Sequence, residues 1–95
     1  VQVASNQIIT TTEFFEILPN PTFGDLNINY TSEIETQSTV TIYDVLGRRL
    51  HTWKFDAAKG INNNHLDVSP LADATYFITV KVGERLYSTK FLKLD

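Results

Sequence analysis

Few side chains in this 95-residue sequence have the type and spacing that chemistry requires. His51 and His65 come first, because imidazole acts as a general base and a metal ligand near neutral pH. They lie on different predicted strands, and neither has a partner at zinc-site spacing, so each reads as a satisfied or surface histidine. Ser32, Ser38, Ser69 and Ser88 stand outside any nucleophile-elbow pattern, and Ser69, just before Pro70, reads as a turn residue. The carboxylates are scattered and form no calcium loop. Asn62-Asn63-Asn64 offers carbonyl oxygens but reads as a turn-and-edge tract, and the 4 glycines form no phosphate cradle. Asn29-Tyr30-Thr31 matches a glycosylation acceptor, a short pattern that recurs by chance, and Tyr30 sits at an inward position; Asn20-Pro21-Thr22 is excluded by its proline. With no Cys, disulfides and thiolate metal sites are excluded. The residues therefore point to a chain that is not an enzyme and holds no metal or cofactor.

What must position any surface these residues make is a single domain. The hydrophobic fraction of 42% and aromatic fraction of 12% suffice for one core. A chain this short buries somewhat over ~60% of its unfolded surface, which leaves little spare stability. The net charge of −3 is uneven. Residues 1–47 carry Glu13, Glu16, Asp25, Glu33, Glu35 and Asp44 with no Lys or Arg, whereas all 8 basic residues follow. This polarity reads as ordinary surface charge able to orient a domain at a charged partner. It lacks the dense basic patch expected for nucleic acid. No apolar run reaches membrane-spanning length, so no membrane insertion is expected. With no Met in the sequence, Val1 is expected to be a cut boundary within a longer protein, and any export leader would lie upstream.

The elements are strands. Tyr76, Ile78, Val80 and Val82 alternate with Phe77, Thr79 and Lys81, the mark of a strand with one face on a core. Gly83 supplies a tight turn, and a second strand, Leu86 to Leu94, completes a hairpin over residues 75–94 that docks the carboxyl terminus. Upstream, residues 13–18 form a strand closed by Pro19-Asn20-Pro21, where two prolines forbid helix and central strand alike. Leu26, Ile28 and Tyr30 mark a second strand, residues 31–37 a loop, and residues 38–44 a third strand. Val45-Leu46-Gly47 connects to a fourth over 48–55, where Leu50 is out of phase with Trp53 and Phe55 and predicts a bulge or a strand buried on both faces. A fifth strand spans 62–68, with Leu66 and Val68 inward. Phe14, Tyr30, Tyr43, Trp53, Phe55, Tyr76 and Phe91 occupy apolar-pattern positions; Phe15, Phe23, Phe77 and Tyr87 are the aromatics expected at the surface. Strands recurring every eight to twelve residues without a helical period give an all-β, antiparallel, Ig-like β-sandwich of about seven strands. Residues 1–12 read as a linker or a loosely added edge strand, and 13–95 as the domain.

Three blocks carry a family resemblance. Pro19-Asn20-Pro21 with Phe23-Gly24-Asp25-Leu26-Asn27-Ile28 forms the first. Val40-Thr41-Ile42-Tyr43-Asp44-Val45-Leu46-Gly47-Arg48-Arg49-Leu50 forms the second. Leu66 to Leu71, Tyr76 to Val80 and the ending Lys90-Phe91-Leu92-Lys93 form the third. In order and spacing they resemble the type A C-terminal sorting domain of the type IX secretion system of Bacteroidetes, over residues 16–95. Ala74, where that family has Gly, and the terminal Asp95 are departures.

The resemblance implies a non-catalytic address carried by proteins exported through the periplasm to the outer-membrane surface or beyond. Partners would be the outer-membrane translocon, its shuttle proteins and a sortase. The sortase would cut within residues 1–12 and join the cargo to anionic lipopolysaccharide. Recognition is expected at Lys90, Phe91, Leu92 and Lys93, with Pro19, Asn20, Pro21, Gly24, Gly47 and Tyr76 as motif residues that shape the turns and the fold. A terminus held in a sheet also presents an edge for strand pairing, including an edge-strand or swapped homodimer. The rival reading is an uncleaved Ig- or fibronectin-like module of a surface protein that binds glycan or protein.

Overall fold

A computed structural model describes residues 14–95; the proposed linker and cleavage region, 1–12, lies outside them. Seven strands follow in order: β1 (Phe15–Leu18), β2 (Asp25–Ser32), β3 (Thr36–Tyr43), β4 (Arg49–Ala57), β5 (Gly60–Asp67), β6 (Ala74–Val82) and β7 (Arg85–Lys93). Sheet one has the order β1-β2-β5 and sheet two β4-β3-β6-β7, with every strand pair antiparallel. The chain changes sheet between β2 and β3, between β4 and β5, and between β5 and β6. The expected all-β sandwich is therefore what the chain forms.

Alternation decides the core. Leu26, Ile28 and Tyr30 of β2 and Leu66 of β5 meet Val40 and Ile42 of β3, Ile78 and Val80 of β6 and Phe91 of β7, all buried between the sheets. Gly83 turns the final hairpin at φ 61°, a left-handed backbone that glycine adopts without a Cβ penalty. It sets Val82 opposite Arg85 and so fixes the register of β7 on β6. The bulge expected at Leu50 is present: Ile42 faces His51 and Tyr43 faces Arg49, which leaves Leu50 without an opposite residue. The alternative of a strand buried on both faces does not hold, since most of β4 is exposed.

Several local expectations change. The loop drawn over 31–37 shrinks to Glu33-Ile34-Glu35, because the polar residues Thr31, Ser32, Thr36 and Gln37 continue the ladders opposite Ile61, Gly60, Ala57 and Asp56. Backbone pairing does not need apolar side chains at strand ends. Phe15 and Tyr87, expected outside, stack at 5.0 Å and pack against the core. Phe14 and Tyr43, expected inside, fall on the other phase; Phe14 is exposed and Tyr43 half-buried on an outer face. A one-residue change of phase moves a side chain across the sheet.

Tyr30 links the two layers. Its ring is fully buried, and its hydroxyl donates to Asn64 Oδ1 at 2.6 Å and shares a 2.8 Å hydrogen bond with Ser38 Oγ of the opposite sheet. Burial pushes the phenol above its ordinary pKa. Tyr30→Phe keeps the ring but strands both partners, so it should lower unfolding free energy by about 1–3 kcal/mol in urea titrations.

Candidate recognition site

Pro19 to Gly24 passes from β1 to β2 along the outer edge of β7. Both proline peptides, Leu18–Pro19 and Asn20–Pro21, are cis. Thr22 lies parallel to Lys93: its N–H donates to Leu92 O at 2.9 Å, and its carbonyl accepts from Leu94 N at 2.9 Å. Asn20 Oδ1 accepts from Leu92 N at 3.0 Å. The fully buried Thr22 hydroxyl donates to Asp25 O and accepts from Gly24 N at 3.2 Å. Gly24 has φ 151°, and a Cβ there would stand 3.2 Å from Ser69 Cβ, so this crossing needs glycine twice over. Its carbonyl accepts from Val68 N at 2.8 Å, which fastens the turn to the end of β5.

This clasp joins the start of the domain to its end. Inside it, Tyr76 and Phe91 stack at 5.6 Å, and Tyr76 donates to Ala72 O at 2.6 Å. Lys93 is only 1% exposed; its stem lies in the interior and Nζ reaches Asp95 at 3.1 Å and Asp73 at 4.0 Å.

The four residues Lys90 to Lys93 therefore divide. Phe91 and Lys93 face the core, whereas Lys90 and Leu92 face solvent. Leu92 turns its N–H and carbonyl outward to the clasp, and Lys90, Ser88 and Leu86 share that direction by the alternation of an antiparallel pair. Past the clasp, that side of β7 has no strand beside it among the described residues. Gly47 lies apart, in the β3–β4 turn at the same end of the sandwich, where its N–H meets Asp44 O at 3.0 Å. Sequence reasoning passed over Thr22, whose signal is only a small hydroxyl residue following a Pro-Asn-Pro turn. The two histidines stay separate: His65 meets Asp25 at 3.1 Å in sheet one, and His51 leans on Trp53 in sheet two.

Three carboxyls at this end sit below their ordinary range. Asp44 is lowered by hydrogen bonds from the Arg48 backbone and side chain and from Leu46 N, Asp67 by Ser69, and Asp95 by Lys93. A depressed folded-state pKa contributes stability that is complete above the unfolded value, about 3.9, and is lost as pH falls through the folded one. Thermal midpoints should therefore drop on acidification below about pH 4. Asp44→Asn should make that acid limb shallower in a calorimetric pH series.

The secretion system C-terminal sorting domain model matches residues 16–94, from β1 through the clasp to the chain end. The chain belongs to this family of type IX secretion sorting signals. No curated protein matches it. Membership makes the domain a sorting signal, a non-catalytic role in its family, which engages the type IX machinery and implies export toward the outer membrane or cell surface.

Proposed function

We propose that the sorting domain is read by the translocon at the solvent side of its last strand. Lys90 and Leu92 make the contact, and Phe91 and Lys93 hold them in register from within. A sortase then cuts within residues 1–12 and joins the released cargo to anionic lipopolysaccharide, while the domain itself catalyses nothing. The observation that carries this reading is the clasp, which holds a chain end that would otherwise fray as a defined edge. The part of that edge with no strand beside it among the described residues, Leu86 to Lys90, offers backbone groups for strand addition by the machinery or by a second copy.

Phe14, the first described residue, has its carbonyl on Thr31 N near the far end of β2, about 20 Å from the clasp at ~3.3 Å per residue. In this reading recognition and cleavage use separate segments of the chain, so translocation and trimming can be separated. Lys90→Glu with Leu92→Ser alters the outer face without touching the core. It should reduce cargo at the cell surface several-fold while the domain's melting stays unchanged; unimpaired delivery would refute the assignment. Mass spectrometry of released cargo should place its new end before Glu13.

A further inference from the structure

The outer face of sheet two carries an ordered pattern of which the proposed sorting contact uses only Lys90. Cross-strand register sets Thr52, Thr41, Thr79 and Ser88 in one row across all four strands. One flanking row runs Lys54, Thr39, Lys81 and Leu86; the other runs Arg49, Tyr43, Phe77 and Lys90. With strands ~4.8 Å apart and same-face residues ~6.6 Å apart, four cations surround a band of hydroxyls roughly 14 Å wide. Lys54, Lys81, Arg49 and Lys90 are exposed and have no ion-pair partner among the described residues. Asp56, opposite Gln37 at one end, is the single acidic side chain on these strand positions. Sheet one shows the reverse on its outer face, with Glu16, Asp25 and Asp67 among Asn27, Asn29 and Asn63. The charge division along the sequence thus becomes a division between the two faces of the sandwich.

We propose that the outer face of sheet two is a binding surface for an acidic polysaccharide. Unpaired cations on both sides of the hydroxyl row complement anionic groups along such a chain. Exposed hydroxyls at Thr52 and Ser88, with half-buried Thr79, donate to sugar or acid oxygens, and Thr41 forms the floor. Phe77, 41% exposed, and half-buried Tyr43 place two aromatic rings beside that row for apolar sugar faces. The central row of hydroxyls, where a membrane-docking face would carry a continuous apolar strip, distinguishes this surface from one that enters lipid.

The test uses the 95-residue chain and size-matched probes: dextran sulfate, neutral dextran and phosphatidylglycerol vesicles. Dextran sulfate should bind with an affinity that falls steeply with salt, and neutral dextran should not bind. Lys54→Glu with Lys81→Glu should weaken it by at least about tenfold, since both anion contacts become repulsive. Lys59→Glu, in the β4–β5 turn away from this face, should leave it within about twofold. Thr79→Val, which removes a hydroxyl at constant shape, should weaken it by about threefold to tenfold. Equal loss from Lys59→Glu and the double variant would overturn the proposal, as would no binding, or vesicle binding without dextran sulfate binding. The double variant spares Lys90 and Leu92, so its effect is separate from the sorting contact.

Discussion

A parent protein cut after Thr89 should fail to reach the cell surface, and the domain should lose its cooperative melt. The six residues removed include Phe91 and Lys93, both essentially buried, and Phe91 is the stacking partner of Tyr76. Losing a buried Phe alone costs about 3–5 kcal/mol, against a total of about 5–15 for a domain, with small domains at the low end. The cut also frees Thr22 and Asn20 from Leu92 and Leu94, which opens the β1–β2 turn to solvent. Phe91→Ala in the otherwise intact chain isolates the packing part. It should lower stability by about 3–5 kcal/mol and reduce delivery, while Phe91→Leu should keep most of both. Cell fractionation and circular dichroism report the two effects. Surface delivery with an unfolded domain would show that a short peptide, not a folded edge, carries the address.

Lys93 should behave as a core residue despite its charge. Lys93→Ala removes a buried four-carbon stem, so a loss of about 2–4 kcal/mol in denaturant titration is expected. Lys93→Met keeps most of that volume and drops the ammonium, so it should cost far less. Replacing Asp73 and Asp95 by Asn should instead be more harmful than the Met change, since the ammonium then stays buried without its counter-charges. Equal stability of the Ala and native chains would mean that Lys93 does not fill the interior. The ordering Met above Ala separates volume from charge.

Much of the candidate site could be located from the family resemblance and yet not understood from the residue types. Lys90 to Lys93 are marked by the family resemblance of the closing block, but β7 itself reads ambiguously. Leu86, Leu92 and Leu94 share one phase, while Tyr87, Phe91 and Lys93 share the other. The leucine phase is the one that faces out. The Val82–Arg85 register and the partners across the core settle that choice.

Where the pattern is local, the chain alone was enough: strict alternation in β6, Leu26-Ile28-Tyr30 in β2, the Gly83 turn and the Leu50 bulge follow from side-chain size, branching and spacing. The tertiary structure decided what depends on distant partners. It brought Asn20 to Leu92 across 72 positions, buried a lysine, sent Phe15 and Tyr87 inward, and aligned four hydroxyls across four strands. A strand's own residues specify two faces. Which of those faces meets the core, and what lies along its edge, is fixed only when the other strands pack against it.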